Sequence, residues 1–387
     1  MKSIGLYLNS EPFTGGAYQY TLSIIQALNS LDKKRYKVIC FCHSSKWKNL
    51  IPETFSNVIL PRTKILRILG RLYKLIDRSN LGWLRFAWFF NPIIKNINTS
   101  DCQIIIFPNQ DSLSYQIKKK SLSTIHDLMH RYEPLHSEYQ NGAYEYRERH
   151  YKLVCKFSSG ILVDSEIGKK HVIESYKMSP QKIFILPYIP PTYLDEVKTI
   201  DIKSKYKLPD KYLFYPAQFW EHKNHFNLLK ALKILINKGY EINLVLVGSK
   251  KNNYDKVLDF INHLSLNKNV FILGYVSNDD MAALYKNSIA TTFISLIGPT
   301  NIPPLEALKI GSPLICSNLY AMPQQVGNAA LLVDPKNPED IAEKITKILS
   351  NLRLRNELRN EGFKVIEKYT QNDFTHKLED IINNIIQ

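Results

Sequence analysis

Short apolar runs alternate with amphipathic helical patterns along this sequence, and that alternation restricts the possible folds more than any other feature. In the second half, residues 242–247, 270–273 and 290–296 are apolar runs separated by helical patterns, and the first two runs lead into Gly248 and Gly274. Successive parallel strands need a crossover connection, which is usually a helix. The alternation therefore predicts an α/β protein built on doubly wound parallel sheets.

The first half shows the same alternation. The predicted strands are residues 2–9, 36–42, 102–107, 121–125, 161–163 and 183–186, and the predicted helices include 17–29, 137–160 and 167–176. Prolines at 187, 190 and 191, followed by a polar stretch to Asp210, indicate a linker. Because 387 residues suit about two domains, we predict one domain at 1–190 and a second at 191–369.

The composition is that of an ordinary globular protein with a large excess of basic residues. Hydrophobic residues make up 44% and charged residues 22% of the sequence, and the formal net charge is +16. Such an excess favours an acidic partner: a phosphorylated ligand, an anionic lipid or a nucleic acid. No recognisable module supports nucleic-acid binding. The five cysteines lack metal-ligand spacing, and no secretory signal or membrane-spanning run is present, so we expect a cytoplasmic protein.

The stretch from Ser295 to Ser317 has the features of a ligand-binding turn. An apolar strand leads through a Gly-Pro-Thr-Asn turn into a helix that opens with Pro303 and Pro304 and ends at Gly311. Ligands bind at the carboxyl ends of parallel strands, and a helix N-terminus there attracts anions. The candidate phosphate donors are the amides of Asn301, Ile302 and Leu305 and the hydroxyl of Thr300.

Glu306 lies in the first turn of this helix and has two possible roles. Its carboxylate can accept hydrogen bonds from the vicinal hydroxyls of a sugar, or it can simply complement the helix dipole. Its position alone favours neither. The surrounding run PPLEA resembles the nucleotide-binding motif of the family 4 glycosyltransferases, in which two Glu residues are separated by seven residues. Gly298 stands where the first Glu, which contacts the donor sugar, belongs.

The resemblance implies a GT-B fold, with two facing Rossmann-like domains and a C-terminal helix, residues 370–387, that crosses back to the first domain. It implies that Glu306 binds the nucleotide ribose and that the backbone at Tyr275 and Val276 borders the base. In this family an Arg and a Lys five residues later hold the donor diphosphate. Lys223 matches the Lys, and Gln218 replaces the Arg. Without the motif, Lys223 has the features of a solvated lysine at a helix start.

Two features of the first half also match the family. Gly15 and Gly16 form the loop between the first strand and its helix, where the family places the transferred sugar and the diphosphate, although glycines are common in turns. His126 follows a strand, where the family has a sugar-pocket histidine; a capping or core histidine is the alternative. His126 and His130 in HDLMH lack the Glu of HExxH, and Asp279 and Asp280 fit a helix start, so we expect no metal.

A basic helical stripe lies beside an apolar one between residues 62 and 78. The basic residues are Lys64, Arg67, Arg71, Lys74 and Arg78, and the aromatic run LGWLRFAWFF follows. Such helices bind anionic membrane surfaces, although the same pattern also fits a solvated helix face packed on its own domain. The hypothesis is a peripheral protein on the inner face of the plasma membrane.

The resemblance to the family 4 glycosyltransferases implies a retaining, metal-independent hexosyltransferase of bacterial surface-polysaccharide synthesis. The donor would be a nucleotide-sugar, with GDP-mannose suggested by analogy, and the acceptor a saccharide, possibly carried on a lipid. Lys223, His126 and Glu306 are the candidate catalytic residues. Two alternatives stay open: a GT-B nucleotide-sugar epimerase, and a non-catalytic protein that binds a nucleotide-sugar or a membrane. Gly298 and Gln218, which depart from the family pattern, favour the second alternative.

Overall fold

A computed structural model describes residues 1–9, 12, 15–60 and 91–387. The chain forms two compact units. The N-terminal unit comprises Met1–Leu128, Glu145–Pro187 and Gln371–Gln387, and the C-terminal unit comprises Met129–Tyr144 and Tyr188–Thr370. Residues 129–144 therefore belong to the C-terminal unit although they come from the first half of the sequence.

Each unit is built on one parallel sheet. The order is β3-β2-β1-β4-β5-β6-β7 in the N-terminal unit and β10-β9-β8-β11-β12-β13 in the C-terminal unit. The strands are β1 (Lys2–Leu8), β2 (Tyr36–Cys42), β3 (Ser56–Ile59), β4 (Ile104–Phe107), β5 (Lys120–Thr124), β6 (Gly160–Val163), β7 (Ile183–Ile185), β8 (Tyr212–Pro216), β9 (Asn243–Val247), β10 (Val270–Gly274), β11 (Ala290–Phe293), β12 (Leu314–Ser317) and β13 (Ala330–Val333).

Helices connect the strands, as the alternation in the sequence predicts. They are α1 (Gly16–Ser30), α2 (Pro92–Thr99), α3 (Met129–Tyr132), α4 (Ala143–Phe157), α5 (Glu166–Tyr176), α6 (Ile202–Tyr206), α7 (His225–Asn237), α8 (Tyr254–His263), α9 (Asn278–Asn287), α10 (Ile302–Ile310), α11 (Met322–Val326), α12 (Pro338–Ser350), α13 (Leu352–Ile366) and α14 (Gln371–Ile386). Central strands such as β4 and β12 are fully buried, which is typical of parallel sheets covered on both faces.

The terminal helix α14 is part of the N-terminal unit. It packs against α1 and buries the side chains of Phe374, Leu378 and Ile382. Its polar contacts reach the start of the sheet, where Tyr36 Oη donates to Glu379 Oε1 at 2.8 Å. The two ends of the sequence are thus held in one unit.

Two predicted elements end at different residues in the structure. The strand predicted at 290–296 ends at Phe293, because the Leu296 amide donates to the His222 carbonyl and the chain leaves the sheet. The helix predicted at 137–160 begins only at Ala143. Asn141 and Gly142 have φ values of 55° and 81°, which a right-handed helix does not allow, and Ser137–Tyr139 form a separate 3-10 turn.

In the described ranges, no helix combines the length and the apolar character needed to cross a bilayer. The predicted basic stripe of Lys64, Arg67, Arg71, Lys74 and Arg78 lies outside the described residues, and so does the aromatic run that follows it.

Candidate functional site

The candidate site of the C-terminal unit lies where the order of its strands reverses. From β8 the chain proceeds outward to β9 and β10, and then returns to β11 on the other side of β8. At such a switch point the loops after the two central strands diverge and leave a crevice at the carboxyl ends. The loop after β8 carries Lys223, and the loop after β11 leads into α10, which carries Glu306.

Lys223 ends a 3-10 turn that is fixed to the neighbouring strand. Its Nζ donates to Ser295 Oγ at 3.4 Å and to Asn301 Oδ1 at 3.3 Å, and it lies 5.0 Å from the centre of the Phe293 ring. The adjacent Asn224 donates to the Ile294 carbonyl at 3.1 Å. The structure therefore brings the Lys223 ammonium to the start of α10, beside the turn that the sequence predicts to hold a phosphate.

The turn before α10 has a geometry that requires glycine at position 298. Gly298 has φ 111°, and a Cβ atom there would lie 2.9 Å from Asn301 Nδ2. A glutamate at this position would therefore need a different turn. The backbone conformation of this turn is thus compatible with Gly298 and not with the Glu that the family has at this position.

The polar groups of the turn are partly engaged within the protein. The Asn301 amide donates to Gln325 Oε1 at 3.1 Å, and Gln325 Nε2 donates to the Asn301 carbonyl at 2.8 Å. The Asn301 amide, a predicted phosphate donor, is therefore already bonded. Thr300 is half-buried, and Ile302 is buried as the first residue of α10.

Glu306 is buried between two tyrosines. Tyr193 Oη donates to Oε1 at 2.7 Å, and Tyr285 Oη donates to Oε2 at 2.6 Å. Burial raises the pKa of Glu306, and the two hydrogen bonds oppose that change without cancelling it. Each carboxylate oxygen keeps one acceptor position after these bonds, because an ionised carboxylate has about four.

Two more predicted positions lie on neighbouring loops. Gln218, which follows β8, accepts a hydrogen bond from Trp220 Nε1 at 2.9 Å. Tyr275, just after β10, is 65% exposed, whereas the next residue, Val276, is buried. An exposed aromatic ring at a strand's carboxyl end is available for contact with a planar ligand.

The predicted residues of the N-terminal unit lie at the carboxyl edge of its own sheet. Gly15 precedes α1 and has φ 83°, and Gly16 is the first residue of that helix; both are exposed. His126 follows β5, with its ring 5.4 Å from that of Tyr20. Burial lowers the pKa of His126 to about 4, so the imidazole is neutral at neutral pH.

Sequence reasoning missed several polar partners. Tyr193 and Gln325 bond to the predicted site residues, yet neither belongs to a recognised motif. Asp111 was also missed: it accepts hydrogen bonds from Asn9 Nδ2 at 2.5 Å and from the Leu113 amide at 2.7 Å, and burial raises its pKa to about 6. Its position after β4, the neighbour of β1, was the available signal.

Metal ligands do not converge in the described parts of the chain: no group of three or more His, Cys, Asp or Glu side chains there is arranged to hold an ion. His126 and His130 belong to different compact units. Asp279 and Asp280 lie in the first turn of α9 and pair with Lys198 and Lys205 at 2.7 and 2.8 Å.

Comparison with known proteins identifies relatives of this chain. It is 23% identical over 315 residues to the serotype-specific mannosyltransferase WbdA of Escherichia coli, covering 76% of this chain and 38% of WbdA. It is 25% identical over 199 residues to the O-antigen chain mannosyltransferase B of the same species, covering 49% of this chain and 51% of the relative. The matches thus span about half or less of these relatives' lengths.

The fold is that of solved glycosyltransferase structures. HepE of Anabaena, solved in complex with UDP and glucose, superposes with a TM-score of 0.76 at 14% identity, over 99% of this chain and 100% of HepE. The family described as Glycosyl transferases group 1 matches residues 196–365. The two parallel sheets therefore have the GT-B fold, and the C-terminal unit contains a glycosyl transferases group 1 domain.

Proposed function

We propose that this protein transfers a hexose from a nucleoside-diphosphate sugar to a saccharide acceptor. The observation that supports this most directly is the convergence of Lys223, Ser295 and Asn301 at the switch point, at the start of the helix that carries Glu306. An ammonium suits a diphosphate, and a buried carboxylate with free acceptor positions suits the hydroxyls of a ribose. A diphosphate and a ribose are the two parts that UDP-, GDP- and ADP-sugars share.

The same geometry suggests how the reaction is accelerated. Breaking the bond between the sugar and the diphosphate places negative charge on the leaving group. A fixed positive group aimed at that charge stabilises the transition state. Lys223 Nζ donates to Ser295 Oγ and Asn301 Oδ1 and lies over the Phe293 ring, and these contacts hold the ammonium at the start of α10, where we propose that the leaving diphosphate binds. Retention of the anomeric configuration follows from the family resemblance alone, and His126, Gly15 and Gly16 are the proposed sugar-side residues.

The donor is proposed to be a hexose nucleotide, with GDP-mannose as the first candidate. The similarity to O-antigen mannosyltransferases supports mannose, whereas HepE was solved with UDP and glucose. Thermal unfolding in the presence of a panel of GDP-, UDP- and ADP-sugars tests the proposal, because a ligand of the folded state raises the melting temperature. We expect one nucleotide class to stabilise the protein, and the Lys223→Ala variant to lose most of that shift.

A positive binding result does not by itself establish transfer. The stabilising donor is therefore incubated with and without saccharide acceptors, and the products are analysed by mass spectrometry. Transfer to an acceptor supports the proposal. Tight donor binding with no transfer would favour a non-catalytic binding protein, the alternative that rests on the departure of Gly298 and Gln218 from the family pattern. Isomerisation of the donor alone would indicate an epimerase.

We also propose that the reaction needs no metal ion, because Lys223 and the helix start can supply the positive charge. Turnover in excess EDTA should equal turnover with added Mg²⁺ or Mn²⁺. A loss of activity in EDTA that Mg²⁺ restores would contradict this part of the proposal.

The acceptor is proposed to be a saccharide on a lipid carrier at an anionic membrane surface. This rests on the sequence pattern of the basic stripe. Replacing Lys64, Arg67, Arg71 and Lys74 together by Gln should abolish sedimentation with vesicles that contain anionic lipid. The control replaces four lysines of the C-terminal unit, Lys230, Lys238, Lys256 and Lys268, so that both variants lose the same charge. Equal sedimentation of the two variants would show that the basic stripe has no specific role in membrane binding.

A further inference from the structure

The loops after β8 and β9 are joined into one surface beside Lys223. The Phe219 amide donates to the Ser249 carbonyl at 3.2 Å, and the Asn253 amide donates to the Phe219 carbonyl at 3.0 Å. Gly248 allows this close approach, since a Cβ atom there would lie 2.3 Å from the Ala217 carbonyl oxygen. Residues 249–253 are therefore fixed against the segment that carries Gln218 and leads to Lys223.

Lys251 is held in this surface by an aromatic ring. Its Nζ lies 5.1 Å from the centre of the Trp220 ring, within the range of a cation–π contact. The indole Nε1 of Trp220 in turn donates to Gln218 Oε1 at 2.9 Å. The ammonium of Lys251 and the side-chain amide of Gln218 thus contact the same indole. Trp220 and Gln218 precede Lys223 in the sequence by three and five residues.

The charge of Lys251 is not neutralised by a carboxylate. No ion pair joins it to an acidic side chain within the described ranges, whereas Lys198 and Lys205 of the same unit are paired with Asp279 and Asp280. A cation–π contact orients an ammonium without cancelling its charge. Lys251 is half-buried, so its orientation costs little further side-chain entropy when a ligand binds.

A leaving nucleoside diphosphate carries more than one negative charge, and Lys223 supplies one positive charge. We propose that Lys251 is the second cation of the diphosphate site, oriented by Trp220 beside Gln218. This inference rests on the proposed function of the C-terminal unit. The neighbouring Lys250 is directed elsewhere: its Nζ lies 4.5 Å from the centre of the Tyr254 ring of α8. The two lysines therefore form a matched pair that differs in the ring each one contacts.

The experiment compares diphosphate with monophosphate affinity by calorimetry, using GDP and GMP, or UDP and UMP if the uridine nucleotides bind the wild type better. Lys251→Ala should weaken diphosphate binding by about tenfold and monophosphate binding much less. Lys251→Arg should retain the diphosphate preference, and so should the control Lys250→Ala. Higher salt should reduce the difference between wild type and Lys251→Ala.

A double variant separates charge from packing. In Lys251→Ala with Gln218→Arg, the new guanidinium replaces the lost charge from position 218, whose side chain lies at the indole N–H of Trp220, so the diphosphate preference should return to within about threefold of wild type. Packing of Lys251 on Trp220 would not be restored by this change. A Lys251→Ala variant with an unchanged preference, or equal losses for both nucleotides, would overturn the inference while leaving the proposed function intact. If the wild type binds no nucleotide, both fail.

Discussion

At the scale of single residues, Glu306 is the proposed ribose-binding group, and its pKa is shifted by its surroundings. The residue is buried, with 7% of its surface exposed, and burial raises its pKa although Tyr285 and Tyr193 donate hydrogen bonds to the charged form. An ionised carboxylate accepts hydrogen bonds from both hydroxyls of a ribose, whereas the protonated acid loses acceptor capacity. Under the proposed function, nucleotide affinity should therefore depend on the protonation state of this buried side chain.

The first prediction concerns the pH dependence of nucleotide affinity. Because the pKa of Glu306 is raised, affinity should fall as the pH decreases through a midpoint above the ordinary glutamate range. Tyr193→Phe removes a donor that lowers the pKa, so it should move that midpoint to higher pH. Calorimetric titration from pH 4 to pH 8 gives the midpoints. The control is Tyr206→Phe, which removes a hydroxyl that donates to Asp280 at 2.9 Å. A midpoint that is the same in all three proteins would contradict the prediction.

The second prediction concerns Lys223. Its removal should lower turnover by roughly tenfold or more, which corresponds to about 1.4 kcal/mol of transition-state stabilisation. Lys223→Ala is compared with Lys230→Ala, an exposed lysine on α7, and both are assayed at saturating donor. If Lys223→Ala turns over at the wild-type rate, Lys223 has no part in the mechanism.

At the scale of elements, the segment 129–144 holds the turn that carries Lys223. Glu138 Oε1 lies 2.9 Å from His222 Nδ1, and the Ser137 amide donates to Glu221 Oε2 at 3.1 Å. Tyr320 Oη also donates to Glu133 Oε1 at 2.8 Å. These contacts explain why the segment belongs to the C-terminal unit, and they fix the two residues that precede Lys223.

The third prediction concerns the stability that the contact between Glu138 and His222 provides. Burial raises the pKa of Glu138, but the hydrogen bonds with the His222 side chain and with backbone amides, together with the charge of His222, outweigh it and bring the pKa down to about 2. The stabilisation is therefore present above the ordinary glutamate pKa and is lost as the pH falls toward 2. At neutral pH, Glu138→Gln should cost about 1–3 kcal/mol, or several degrees in melting temperature.

The matched control for this change is Glu174→Gln. Glu174 pairs with Lys170 at 3.8 Å on the surface, with 50% and 70% of the two side chains exposed. Pairs of this kind contribute about 0–1 kcal/mol. The melting temperature of both variants is measured at neutral pH by circular dichroism, and equal values would contradict the assigned role of Glu138.

At the scale of the whole molecule, the two units have separate cores, and one unit is built from both ends of the sequence. The C-terminal unit has its own large cluster of buried apolar residues. The N-terminal unit needs α14, whose Ile382 is fully buried, although this helix follows the last residue of the C-terminal unit in sequence. Damage to α14 should therefore affect the unit that is distant in sequence.

The fourth prediction tests this with a pair of core substitutions. Ile382→Ala in α14 and Ile345→Ala in α12 each remove a fully buried side chain, and each should cost about 2–5 kcal/mol in its own unit. Hydrogen exchange measured by mass spectrometry should show faster exchange in the strands of the N-terminal unit for Ile382→Ala and in β8–β13 for Ile345→Ala. Faster exchange in both units for either variant would show that they unfold together.

Much of the architecture follows from local patterns in the sequence. The alternation of apolar runs and helical patterns predicted two parallel sheets, because each strand and helix depends mainly on neighbouring residues. The tandem prolines predicted the start of α10, which begins at Ile302. Gly311 predicted its end, and in the structure the helix ends there with Gly311 in the left-handed region. The position of Lys223 after β8 also follows from its place in the sequence.

Other features depend on contacts between residues that are distant in sequence. Only the folded chain places Tyr193 of the linker on Glu306, Gln325 on the Asn301 backbone and Glu138 on His222, because the partners in each pair come from separate elements. The pKa of Glu306 likewise depends on burial by surrounding elements. The sequence by itself thus determined the sheets and the helix that carries the candidate site, since both depend on local periodicity. The tertiary structure alone decided which side chains surround that site, since burial and hydrogen bonding are properties of the packed whole.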